Sequence, residues 1–292
     1  MLYDVGLTIT HEYNRAAMAG RHRLRLLPAD LLGRQRLIAG HLDIDPPPQE
    51  RFHSTDFFGN QAVEIAYRSA HARIEFKVRC RVERLAEGAF LDLSPTLDRL
   101  AREIAECRSL APDAPHHFLG PSPRISIDPE MTAYARAEVR SGTTALDAVT
   151  AVGLALHRDM RFDAKATTVD TPPEEAFGRR RGVCQDFSQI MISCLRALGI
   201  PAGYVSGFLR TTPPRGKPRL EGADAMHAWV RAWCGVEAGW VEYDPTNARL
   251  AAGDHIVIAR GRDYSDVAPV RGVLRTAGSQ KTRQAVDVVA VA

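Results

Sequence analysis

The stretch that decides the fold runs from Arg179 to Leu209, RRRGVCQDFSQIMISCLRALGIPAGYVSGFL. From Gln185 onward its apolar residues fall at Phe187, Ile190, Met191, Cys194, Leu195 and Leu198, the spacing of one helical face. Gly199 is placed as a helix-ending glycine, and after Pro201 the run from Ala202 to Leu209 reads as a strand. Cys184 therefore stands at the first turn of a helix, where free N–H groups and the positive end of the dipole stabilise a thiolate. Its own N–H would face an oxyanion formed during attack on a carbonyl. Gly182, lacking a Cβ, is expected to let a substrate backbone approach. Cys194 lies on the apolar face and is expected to be core packing.

A thiolate nucleophile needs a base, and the base needs an orienting group. Downstream, Met226 to Cys234 and Gly239 to Tyr243 read as two strands joined by the short turn Gly235-Val236-Glu237-Ala238. On the first, His227, Trp229 and Arg231 share a face; on the second, Trp240, Glu242 and Asp244 do. A hairpin brings Asp244 beside His227 and leaves one imidazole nitrogen for Cys184. Glu242, on the same strand face, is the rival acid. Taken singly, these are a buried thiol, a surface histidine and a turn aspartate before Pro245. Together, in this order, they point to thiol chemistry. Trp229 or Trp240 is a candidate wall of a substrate groove.

Toward the N-terminus, Leu2 to Tyr13, Arg21 to Leu27, Gln61 to Tyr67 and Ala72 to Val82 alternate apolar and polar residues, which indicates antiparallel sheet. A small sandwich with apolar inner and basic outer faces fits them. Ser94-Pro95 opens a short helix to Cys107, a proline-rich connector spans Ala111 to Pro129, and helices follow from Asp128 to Val139 and Thr144 to Met160. Further strands are expected at His255 to Arg260, Pro269 to Thr276 and Ala285 to Val291. This divides the chain into a β-rich domain at 1–88, a connector at 89–128 and a catalytic core at 129–292. The basic, proline-rich segment Thr211 to Gly222 reads as a loop, a candidate flap over the groove.

Length and composition agree. At about 100–200 residues per domain, 292 residues make about two domains. Hydrophobic residues are 45% and charged residues 25%, ordinary globular usage. A net charge of +3 gives no basis for a nucleic-acid or membrane partner. The five cysteines contain no CxxC pair, which argues against a disulfide framework or a zinc knuckle. No HExxH pattern and no calcium-loop signature occurs, so neither metal nor cofactor is expected. The start MLYDVGLTITHEY lacks a basic segment and an apolar segment, so the expectation is a reduced, cytoplasmic protein.

Gly182-Val183-Cys184-Gln185-Asp186-Phe187, Leu195-Arg196-Ala197-Leu198-Gly199-Ile200-Pro201-Ala202 and Tyr204-Val205-Ser206-Gly207 resemble the core of the bacterial transglutaminase-like superfamily. Met226-His227-Ala228-Trp229-Val230 and Val241-Glu242-Tyr243-Asp244-Pro245-Thr246-Asn247 resemble its histidine and aspartate motifs. Thr8-Ile9-Thr10-His11 and Asp56-Phe57-Phe58-Gly59-Asn60 are similar to the β-domain that precedes this core in many bacterial members. The resemblance implies an α+β chain, an N-terminal antiparallel β-sandwich followed by a papain-like, transglutaminase-like cysteine core. It implies a triad of Cys184, His227 and Asp244, and thiol attack on a peptide or isopeptide amide to give an acyl-thioester. Gly182, Gln185, Trp229 and Glu242 are candidate substrate or oxyanion residues. Two alternatives are weighed against this reading: arylamine N-acetyltransferase-like acyl transfer, and a non-catalytic transglutaminase-like interaction module.

Overall fold

The computed structural model describes residues 1–85, 91–211, 224–276 and 278–291. The strands are β1 (Leu2–Ala17), β2 (Gly20–Leu24), β3 (Gln35–Asp45), β4 (Glu50–Thr55), β5 (Gln61–Tyr67), β6 (His71–Arg84), β7 (Arg161–Phe162), β8 (Arg181–Gly182), β9 (Ala202–Leu209), β10 (Ala225–Trp233), β11 (Trp240–Asp244), β12 (Arg249–Leu250), β13 (His255–Gly261), β14 (Val270–Leu274) and β15 (Gln280–Val291). The α-helices are α1 (Leu97–Glu106), α2 (Pro129–Glu138), α3 (Ala145–Asp159), α4 (Pro173–Arg179), α5 (Cys184–Ala197) and α6 (Tyr264–Val267). The loop expected from Thr211 to Gly222 lies, after Thr211, outside the described residues.

Two four-stranded antiparallel sheets, ordered β15-β1-β6-β3 and β14-β2-β5-β4, form the N-terminal sandwich. Alternation decides which face is inward. Val5, Leu7 and Ile9 of β1, Leu24 of β2, Ile65 and Tyr67 of β5, and Phe76 and Val78 of β6 are all buried in one core. Arg73, Lys77, Arg79 and Arg81 alternate outward. The strands whose patterning is regular are the interior ones. β3 and β4 are edge strands without a sequence signal of their own, and a register shift between Leu37 and Ala39 breaks the period of β3. The C-terminal strands expected at Pro269 to Thr276 and Ala285 to Val291 form, but they pair with β2 and β1. The chain end thus returns from the core to complete both sheets of the sandwich.

The second layer system is a five-stranded antiparallel sheet, β12-β11-β10-β9-β13, with α5 packed against β9 and β10. Helices α2, α3 and α4 pack around α5 in turn. From Asp186 to Arg196 every residue of α5 is buried, so this helix is the centre of the core rather than an amphipathic cover. Its end is stapled by Arg196, whose guanidinium donates to the carbonyls of Ala202 (3.0 and 2.9 Å), Gly120 (2.8 Å) and Arg262 (2.7 Å). Gly199, at φ +78°, then turns the chain toward β9.

Candidate active site

Helix α5 begins at Cys184 because Asp186 caps it from inside. The Val183 N–H donates to Asp186 Oδ2 at 2.8 Å, and the Thr167 hydroxyl donates to the same oxygen at 2.6 Å. Burial raises the Asp186 pKa, with those hydrogen bonds opposing. Here the structure revises the role expected of Gly182. A Cβ there would lie 2.5 Å from Asp186 Oδ2, so the glycine makes room for the capping carboxylate rather than for a substrate. The first N–H groups of α5 have no intrahelical acceptors, and the half-buried Cys184 sits among them.

Strands β10 and β11 pair with Val230 opposite Tyr243 and Arg231 opposite Glu242, which sets His227 and Asp244 at one end of the hairpin. His227 Nε2 is 2.7 Å from Asp244 Oδ2. The other ring nitrogen is left free of Asp244, and the Cys184 side chain is near enough to the imidazole to influence its charge. Burial lowers the pKa of His227, but the interactions with Asp244 and Cys184 outweigh it and push it up to about 10. Asp244 is fully buried. Burial alone would raise its pKa, yet the hydrogen bonds from His227, His255 and Asn247 hold it well below the usual carboxylate range.

His255 has no counterpart in the sequence reading beyond opening an expected strand. Residues 251–254 run from β12 at one edge of the sheet to β13 at the other, and deliver His255 to Asp244 Oδ2 at 3.0 Å. The Ala252 N–H donates to His255 Nδ1 (3.2 Å), so Nε2 carries the proton given to Asp244. Asn247 Nδ2 donates to the same oxygen at 2.7 Å, while the Thr246 and Asn247 N–H groups donate to Oδ1 at 3.0 and 3.2 Å. The ligand-type atoms of His227, Asp244 and His255 lie within 4.8 Å of one another, a spacing that these hydrogen bonds account for.

The remaining candidates fall elsewhere. Trp229 is fully buried and walls no groove: it stacks on His227 (centroids 6.1 Å apart) and meets His255 edge-on at 5.1 Å. Gly207, opposite His227 on β9, has no Cβ to strike the Trp229 ring, which would lie 2.4 Å from one. Glu242 is not the acid beside the histidine. It accepts from Trp229 Nε1 at 2.7 Å and pairs with Arg260. Burial would raise its pKa, but Arg260, Trp229 and Arg34 bring it down to about 2. Gln185 Nε2 donates to the Val169 carbonyl at 3.1 Å. Burial pushes the thiols of Cys80, Cys194 and Cys234 up to about 12.

A half-buried thiol at the start of a buried helix, facing an imidazole and carboxylate carried by an antiparallel hairpin, defines a transglutaminase-like core. The chain belongs to the transglutaminase-like superfamily: residues 132–245 match its core and residues 3–83 match the bacterial transglutaminase-like N-terminal region. An uncharacterized protein of Mycobacterium tuberculosis is 32% identical over 285 residues, covering 94% of this chain and 85% of that one. A protein-glutamine gamma-glutamyltransferase of Pseudomonas aeruginosa is 34% identical over 110 residues, 36% of this chain and 16% of its own length. The crystal structure of a candidate cysteine protease from Cytophaga hutchinsonii shares the fold with a TM-score of 0.78 at 18% identity, covering 99% of this chain and 90% of that one.

Proposed function

We propose that this protein is a thiol-dependent amide hydrolase or acyl transferase that works through an acyl-thioester on Cys184. The observation that carries the reading is the position of His227, 2.7 Å from Asp244 Oδ2 and close enough to Cys184 for the thiol to act on its charge. In this reading His227 holds the proton that Cys184 gives up, so that an imidazolium faces the attacking sulfur, which the raised His227 pKa favours. The sulfur attacks the carbonyl carbon of a peptide or isopeptide amide, and the Cys184 N–H faces the oxyanion. Collapse breaks the C–N bond as His227 gives its proton to the departing amine. Water or a second amine then attacks the thioester, His227 accepts that nucleophile's proton, and the sulfur leaves as thiolate. Asp244 holds the imidazole orientation and stabilises its cationic form.

The test is a panel of glutaminyl, γ-glutamyl and cell-wall-type peptides offered with water or amine acceptors. Cys184→Ala is expected to abolish both turnover and labelling by an iodoacetamide probe, whereas Cys194→Ala and Cys234→Ala keep turnover. Full amide turnover by Cys184→Ala would falsify the mechanism.

A further inference from the structure

Arg231 has no evident work in the chemistry above, and its surroundings are unusual. It lies four residues along β10 from His227, roughly 13 Å away at ~3.3 Å per residue. It is only 7% exposed. Its guanidinium stacks on Trp240, 3.7 Å from the ring centroid, with Phe118 at 5.3 Å. Its buried Nε has no hydrogen-bond partner, and no acceptor among the described residues takes a bond from its other nitrogens. A buried guanidinium carries five N–H donors and ordinarily finds acceptors for them.

The obvious acceptor is already engaged. Glu242 takes Arg260 and the Trp229 indole, with Arg34 Nη1 at 3.9 Å. Arg231 instead lines a cleft of about 460 Å³ between the N-terminal sandwich and the five-stranded sheet, which Arg34, Arg260 and Trp240 also line. Asp30 and Asp113 are the acids on its wall, and both are exposed at its mouth. Burial, with the neighbouring charge of Arg260, lowers the Arg231 pKa to about 9. An anion in the cleft would reverse that. Trp240 is itself held in place, its indole N–H donating to the Asp113 carbonyl at 2.9 Å.

We propose that this cleft binds a small oxyanion, the carboxylate or phosphate group of a ligand, with Arg231 as the hydrogen-bonding anchor and Arg34 and Arg260 supplying flanking positive charge. Planar guanidinium donors match either group. The site is separate from the thiol chemistry and does not depend on it.

Titration of inorganic phosphate, and separately of acetate, into the full chain tests this at constant ionic strength held with chloride. The wild type is expected to show a saturable change in tryptophan emission and a rise in Tm with at least one anion. Which anion works identifies the preferred group. Arg231→Gln is expected to weaken binding at least about tenfold. Trp240→Phe should lose the emission change. Arg271→Gln, which alters an exposed arginine in a separate basic cleft, should respond like wild type. The proposal fails if neither anion gives a saturable change, if Arg231→Gln binds as wild type does, or if the emission change survives in Trp240→Phe. Should Arg231→Gln not fold, Arg34→Gln decides: an affinity unchanged from wild type overturns the cleft as the locus.

Discussion

Asp244 and Glu242 stand two residues apart on the same strand, pointing to the same side, and both are ionised carboxylates, Asp244 fully buried and the Glu242 side chain 9% exposed. Their partners differ in kind. Asp244 meets two imidazoles, an amide and two backbone N–H groups. Glu242 meets guanidinium groups and an indole. An imidazole can gain or lose its proton near neutral pH; a guanidinium cannot. The first environment is therefore built for proton movement, and the second is a fixed charge network joining sheet and sandwich. Trp229 separates them, stacked against His227 and donating to Glu242. What a carboxylate can do here depends on whether its neighbours titrate, since its burial and its charge are shared with the other.

The sharpest way to break this contrast is to neutralise each acid without changing its shape. Asp244→Asn is expected to lower kcat by about 10³–10⁴, the scale seen when the orienting carboxylate of such an arrangement becomes an amide. Steady-state turnover on the best peptide of the panel measures it. Glu242→Gln leaves the half-buried Arg260 against a neutral amide, and the cost of about 3–5 kcal/mol for breaking a fully buried pair sets the upper range. Denaturant unfolding should show that loss, while kcat per folded molecule stays within about threefold. The reverse pattern, Glu242→Gln inactive and Asp244→Asn active, would mean the two roles are exchanged.

The sequence displays the parts of this contrast unevenly. The 3.6-residue period through α5, its glycine stop and the alternating strands β1, β5, β6, β10 and β11 all express burial, which leaves a direct mark on the chain. The candidate site is legible where chain order and strand parity constrain it: Cys184 at a helix start, and His227 and Asp244 on facing strands. Parity could not choose between Asp244 and Glu242, because that choice depends on hairpin register and on arginines far away in sequence, such as Arg34 of the sandwich. Gly182 carries no mark that Asp186, four positions on, is a buried cap. Trp229 reads equally as a groove wall or as core, and the missing Cβ of Gly207 on the neighbouring strand is what lets it bury. His255 is invisible for a different reason. It reaches Asp244 from the opposite edge of the sheet, and no local pattern encodes a crossover.

His255 sharpens the contrast at smaller scale. It supplies one of three donors to Asp244 Oδ2, and its removal leaves the two others in place. His255→Phe keeps the ring packing against Trp229 and deletes the donor. The loss of one charge-assisted hydrogen bond, about 1.5–3 kcal/mol, sets an upper range. Because His227 and Asn247 still orient the carboxylate, kcat is expected to fall only about tenfold, with KM changed less than about twofold. A fall as deep as that of Asp244→Asn would make His255 indispensable to the geometry; no fall at all would make it core filling.

The mildest test uses pH alone and distinguishes the two acids through their partners. His227 has its folded pKa raised from 6.5 to about 10, so the stability it contributes is fully present below pH 6.5 and is lost as pH rises through about 10. Asp244 and Glu242 are shifted the other way. Their contributions are present above the ordinary carboxylate range and lost as pH falls through their depressed folded values. Arg231, opposite Glu242, has its pKa lowered by burial to about 9, so the Glu242 network is free of alkaline titration only below that value. The Tm difference between wild type and His227→Gln should therefore shrink from pH 6.5 toward pH 10. The corresponding difference for Glu242→Gln should stay flat until the pH nears about 9. Equal alkaline losses in both comparisons would show that the His227 proton is not what stabilises the site, and that the two carboxylates share one electrostatic role.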